Sequence, residues 1–212
     1  MIFLDGFITG LILQIAIGPV FFYILNLTFQ RSLLDGLLAV LAAVFVDYLY
    51  ISLAILGVGK LLENEKLKRS LGILSSVVLA VFGVLMIRSG IDQVGPAVGA
   101  AGASNYINSF FSTMLLTISS PLTIIFWTSL FTSKALEKGY EKRELIPFGL
   151  AAGLATAVFL GFMVTGASFL RLAISGNLIR FLNTAVGLLL SFYALIRLVR
   201  ALKLNPKKIM ND

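Results

Sequence analysis

The chain has no cysteine, no histidine and one tryptophan, and only 13% of its 212 residues are charged. Without cysteine there is no disulfide framework and no thiol nucleophile. Without histidine there is no Ser-His-Asp triad and no imidazole proton relay, and the two absences together remove zinc and haem sites, so no cofactor is expected. The scarcity of charge is equally restrictive. Soluble domains carry about 25% charged residues, so this chain has too little polar surface to wrap a globule of its size. Apolar residues instead make up 58% of it. They come in blocks of about twenty or more, the length that crosses roughly 30 Å of hydrocarbon. The composition is that of an integral membrane protein.

Six apolar segments are legible, spanning 2–27, 36–59, 71–87, 108–131, 145–170 and 178–199. The first lacks a basic leading region and is longer than a signal-peptide core, so it reads as a retained helix. The short loops leave no room for a soluble domain, so the sequence predicts one transport unit over residues 1–212. The net charge of +7 suggests nucleic acid only until the basic residues are located. Lys60, Lys66, Lys68, Arg69, Lys134, Lys138, Lys142, Arg143, Arg197, Arg200, Lys203, Lys207 and Lys208 fall on one side of the six spans. Arg31, Arg88, Arg171 and Arg180 fall on the other. This asymmetry predicts that both termini are cytoplasmic, with the bilayer and not nucleic acid as the charged partner.

Spans one to three and four to six read as two copies of one unit, about 1–90 and 108–200. A Gly/Ala-rich loop near 90–107 separates them, and a short basic tail follows from 201 to 212. Gly18-Pro19 interrupts the first span, and Ser120-Pro121 interrupts the fourth. Proline inside a helix removes a backbone hydrogen bond and clashes with the preceding turn, and in lipid the freed carbonyl must find a partner within the protein. Span three ends Phe82-Gly-Val-Leu-Met-Ile-Arg88, and span six ends with the similar Phe192-Tyr-Ala-Leu-Ile-Arg197. Three crossings per unit invert the second copy relative to the first. The expected fold is therefore all-α, six transmembrane helices in two inverted three-helix repeats, with helices one and four broken. Broken helices at matching positions of an inverted repeat point to a transporter's midplane site. The Gly/Ala-rich loop reads as a flexible outer linker, with a lid over an outward-facing cavity as the functional alternative.

Asp47 is the one ionisable acid or base near the centre of any span. An Asp at a helix centre costs about 2.5–3.5 kcal/mol on insertion scales, so it is expected to face the bundle or a cavity. Without histidine, it is the leading candidate for proton exchange. Steps of three and four place Gly36, Ala39, Ala43, Asp47, Tyr50, Ala54 and Gly57 on one stripe, and Leu38, Leu41, Phe45, Leu49 and Leu56 opposite it. Gly6, Gly10, Gln14 and Gly18 form a second small-residue stripe, and Asn183, Gly187, Ser191 and Ala194 a third. Small residues let backbones approach closely, so the stripes are expected to face one another. Gly6, Gly10, Gly149 and Gly153 read as packing positions, whereas Gln14 and Tyr50 could orient Asp47.

Gln14-Ile-Ala-Ile-Gly18-Pro19-Val20, Asp47-Tyr-Leu-Tyr50 and Ser120-Pro121-Leu-Thr-Ile-Ile-Phe126-Trp127 together resemble the lysine exporter (LysE) superfamily. The resemblance covers nearly the whole chain. It implies a plasma-membrane exporter of amino acids or related small solutes, driven by the proton gradient or the membrane potential, with a homodimer as one assembly. It also makes Gly18, Pro19, Asp47 and Pro121 motif positions. The chain carries Ser-Pro where the family more often carries Asn-Pro, and Val20-Phe21-Phe22-Tyr23 where polar residues often follow Gly-Pro. With Gln14, Tyr50 and Ser120, these positions form the expected substrate and proton site. A divalent-cation exporter is a competing reading, although one intramembrane carboxylate is thin provision for a hard cation. A non-transport membrane scaffold is another, and it predicts that Asp47 and both prolines tolerate substitution. An enzyme is not expected, because catalysis would need a second titratable group near Asp47.

Overall fold

A computed structural model of the chain describes residues 1–14, 18–56, 65–91, 105–119, 121–170 and 175–203. Among them are eight helices and no strand: α1 Ile2–Gln14, α2 Pro19–Gln30, α3 Leu33–Ile55, α4 Glu65–Ile91, α5 Tyr106–Ile118, α6 Pro121–Lys138, α7 Lys142–Leu170 and α8 Gly176–Lys203. Four stretches are long and apolar enough to cross a membrane alone: α3, Gly72–Ile91 of α4, α7 and α8. At 1.5 Å per residue, the 23 residues of α3 reach about 35 Å. The first expected span is divided between α1 and α2, whose axes lie 78° apart and which together make a fifth candidate. The fourth is divided between α5, a shorter apolar helix, and α6. Both divisions fall where proline opens the following helix, at Pro19 and at Pro121. Ser120, the Gly/Ala-rich loop from 92 to 104, Gly57, Lys60, Arg171, Lys207 and Lys208 lie outside the described residues.

Local chemistry explains the helix boundaries. Gly18 has extended backbone (φ −120°) and precedes Pro19, whose missing N–H is no loss in a first turn. Ser32 caps α3: its Oγ accepts from the Asp35 N–H at 3.1 Å and donates to Asp35 Oδ2 at 2.6 Å. Asn105 caps α5 by accepting from the Asn108 N–H at 3.0 Å.

Small residues set the helix contacts. α4 and α8 pack antiparallel, with Gly72 against Ala201, Gly83 against Gly187 and Ser191, and Gly90 against Arg180 and Thr184. α1 runs parallel to α7, with Gly6 on the Phe148 backbone and Gly10 on Ala152 and Ala155. A Cβ on Gly10 would lie 2.7 Å from the Ala152 carbonyl oxygen, so only glycine admits this approach. α3 runs antiparallel to α7 through Tyr48 on Gly153 and Ile51 on Gly149. It runs parallel to α5, with Asp35 beside Ser109 and Tyr50 beside Ile118. These directions bring the start of α1 and the end of α8 to the same end of the bundle.

The stripe expected on α3 is buried at Gly36, Ala39, Ala43, Asp47, Tyr50 and Ala54. Leu41, Phe45, Leu49 and Leu56 are exposed, and Leu38 is half-buried. In a membrane protein an exposed apolar face of this kind is a lipid-facing one. Asn183, Gly187 and Ala194 of α8 are likewise buried.

Candidate functional site

A cavity of about 490 Å³ lies where the broken helices meet α3, α4 and α8. Gln14 enters from the end of α1, and Gly18 and Pro19 from the start of α2. Asp47 comes from the middle of α3. Ser119, Thr123, Phe126 and Trp127 come from the second break, and Tyr193 and Arg197 from α8. Leu13, Val20, Leu79 and Leu116 complete an apolar wall. The volume falls in the range of small-molecule sites, roughly 300–1,000 Å³.

Asp47 is buried, at 9% exposure, and is flanked on two sides. Trp127 Nε1 donates to Oδ1 at 3.3 Å, and the Thr156 side chain stands beside the same carboxyl. Thr156 Oγ1 also accepts from Gln14 Nε2 at 2.7 Å. Gln14 therefore fixes the Thr156 hydroxyl that flanks Asp47, which brings α1, α7 and α3 together at this point. Buried polar groups without partners are costly, so the Trp127 hydrogen bond holds the carboxyl at the cavity wall.

Tyr50 lies one turn beyond Asp47 but is absent from the cavity wall. Its hydroxyl donates to the Ile118 carbonyl oxygen at 2.7 Å. That carbonyl ends α5, where the break before Pro121 removes the helical donor; the Ser119 N–H turns back to the Leu115 oxygen at 3.0 Å. Tyr50 thus supplies the partner that a broken helix needs in lipid. Tyr50→Phe removes the donor to this carbonyl and is expected to cost about 1–3 kcal/mol of stability, measured as reduced thermal survival of the detergent-purified protein. An unchanged melting profile would remove this role.

The residues expected from sequence separate into three groups. Gln14, Gly18, Pro19 and Asp47 meet at the cavity. Tyr50 supports the second break. Pro121 opens α6, while Ser120 lies outside the described residues. A Cβ built on Gly18 would meet nothing within 4 Å, as suits a residue facing open space.

Sequence reasoning missed Trp127, Thr156 and Arg197 as site residues. Arg197, one of the basic residues toward the end of the chain, lies within the sixth expected span and lines the same cavity as Asp47. It is half-buried, and its Nη1 donates to Ser75 Oγ on α4 at 3.0 Å. Its position six residues before Lys203, inside an apolar helix, was the available signal. Thr156 is the fifteenth residue of α7, as Asp47 is of α3. Comparing the two proposed repeats position by position would have found it.

Polar clusters join the helices at both ends of the bundle. At the end shared by the start of α1 and the end of α8, Asp5 pairs with Lys134 (3.1 Å) and Lys138 (2.9 Å) at the close of α6, and Tyr140 also donates to it. The hydrogen bond to Asp5 raises the Lys138 pKa above the ordinary lysine value and keeps this ammonium charged. At the opposite end Ser109 Oγ donates to the fully buried Asp35 at 2.7 Å, and Arg31 Nη1 donates to Ser109 at 2.9 Å.

No solved structure matches the chain. It is similar to a Bacillus subtilis (strain 168) protein named "Putative amino acid efflux protein YcgF", with 23% identity over 197 residues covering 91% of this chain and 94% of that protein. The model of the LysE type translocator family matches residues 11–200, which takes in both helix breaks, Asp47, Trp127 and Arg197. This multi-pass membrane chain, with its cavity between two broken helices, belongs to the LysE type translocator family.

Proposed function

We propose that the chain is a secondary exporter of amino acids in the plasma membrane, working by transport and not by catalysis, with both termini cytoplasmic. One observation carries the reading. The cavity at the junction of two broken helices is lined by one acid, Asp47, and one base, Arg197. An amino acid brings the complementary pair. Its ammonium suits Asp47, and its carboxylate suits Arg197 and the positive N-terminal end of α2 at Gly18-Pro19. The B. subtilis relative, named for amino acid efflux, supports the same substrate class.

The six crossings form two inverted three-helix units: α1–α2, α3 and α4, then α5–α6, α7 and α8. Three relations support the inversion. The α1–α7 parallel pair has its counterpart in α5–α3, the α4–α8 pair is antiparallel, and Asp47 meets Thr156 at the equivalent position. Transport then proceeds by alternating access around this junction, driven by the proton gradient or the membrane potential. Asp47 is the group through which protons would couple. The two end clusters act as latches, each tying the start of one unit's broken helix to the other unit.

The test is reconstitution in liposomes loaded with an amino acid mixture, with efflux followed by mass spectrometry under an imposed pH gradient or potential. If no amino acid left faster than from protein-free liposomes, the reading would fail. For the latches, Asp5→Asn removes the acid shared by Lys134 and Lys138. Because the chain has no native cysteine, Leu13→Cys gives one labelling site on the cavity wall. We expect Asp5→Asn to speed its alkylation several-fold from the side of the chain termini, and 1 M salt to speed it in the parent, since partly exposed pairs are screened. Equal rates with and without Asp5 would reject the latch.

A further inference from the structure

We infer that the cavity accepts zwitterionic amino acids with uncharged apolar side chains, and that Arg197 is the residue that reads their carboxylate; the inference rests on the amino-acid reading above. Charge balance is the first reason. Asp47 and Arg197 cancel within the lining, so the site is complementary to a ligand with one ammonium, one carboxylate and no further charge. The second ammonium of lysine, or the second carboxylate of glutamate, would meet only neutral groups in this lining and no opposite charge, a penalty in a desolvated site. The second reason is the state of Arg197. Its hydrogen bond goes to the neutral Ser75 hydroxyl, and no carboxylate pairs with it among the described residues. A guanidinium in this condition keeps its planar fork for a carboxylate. The third is the wall itself. Leu79, Leu116, Phe126 and Trp127 provide apolar and aromatic surface for a side chain and no further charge.

Trp127 is the only tryptophan, lines the cavity and donates to Asp47, so its fluorescence reports occupancy directly. Purified protein is titrated with leucine, lysine, glutamate and leucinol, the last being leucine without its carboxylate. Leucine is expected to bind at least about tenfold more tightly than lysine or glutamate, a difference of about 1.4 kcal/mol. Arg197→Gln is expected to weaken leucine roughly thirtyfold and to change leucinol little, because leucinol has a neutral hydroxyl in place of the carboxylate and offers the arginine no anion. Arg197→Lys, which keeps the charge but not the fork, is expected to recover part of the loss. A residue that only braced α8 against Ser75 would affect leucine and leucinol alike, and that result overturns the assignment. Preferred binding of lysine or glutamate overturns the substrate class while leaving amino acid transport standing. Binding of none of the four, with no amino acid efflux from liposomes, overturns both.

Discussion

Asp47→Asn is expected to lower amino acid efflux about a hundredfold while leaving the protein folded. Asparagine is nearly isosteric, and its amide oxygen still accepts from Trp127 Nε1. What it removes is the negative charge. Truncating one member of a desolvated charge pair costs about 2–5 kcal/mol, and a hundredfold loss corresponds to about 2.7 kcal/mol. The measurement is the initial efflux rate from liposomes at several internal pH values, beside a size-exclusion profile of the variant. Residual flux in the variant should lose the pH dependence of the parent. Unchanged flux with unchanged pH dependence would remove Asp47 from both substrate binding and coupling. Thr156→Val separates charge from orientation, because it keeps the carboxylate and deletes only the hydroxyl that Gln14 holds beside it.

Gly187→Leu is expected to have the largest effect on stability. A Cβ there would lie 2.7 Å from the Gly83 carbonyl oxygen and 2.8 Å from the Ile87 amide nitrogen. Both are backbone atoms and cannot rotate away, so α4 and α8 must separate along their antiparallel contact. Overpacking usually costs about 1–3 kcal/mol, and the upper end or beyond is expected where backbone meets backbone. Little monodisperse protein should survive mild heating in detergent. Gly161→Ala on α7 is the matched control. Its Cβ would meet nothing within 4 Å, so the gain should be about 0.5–1 kcal/mol from helix propensity. A Gly187→Leu protein as heat-resistant as its parent would show that close approach of α4 and α8 is dispensable.

The two variants also separate what could be read from the chain. Gly187 was legible as a packing residue because small side chains recur along one helical face, and only a small face lets backbones touch in lipid. Asp47 was legible because charge at a helix centre is too costly to be incidental. Both helix breaks were legible because proline cannot donate the hydrogen bond that a continuous helix needs. Tyr50 was harder. Its place on the α3 stripe suggested contact with Asp47, but its hydroxyl serves the Ile118 carbonyl, a group that is free only because α5 stops there. Arg197 was harder still, since a basic residue near the end of a span satisfies the topology rule wherever its side chain turns.

By itself the sequence determined the solvent, the two helix breaks and the work left to polar groups. Low charge and long apolar blocks demand a bilayer, two prolines demand interrupted helices, and missing cysteine and histidine leave one central aspartate. These are properties of composition and of helical period, which one chain segment expresses without its neighbours. The tertiary structure alone decided which groups share a cavity. Thr156 and Trp127 reach Asp47 from α7 and α6, and Arg197 lines the same cavity from α8, over separations of 80 to 150 residues. Helical period fixes which face a residue occupies, but not which helix that face will meet. That is set by the glycine contacts that bring α1 against α7 and α4 against α8, and with them Asp47 and Arg197 into one site.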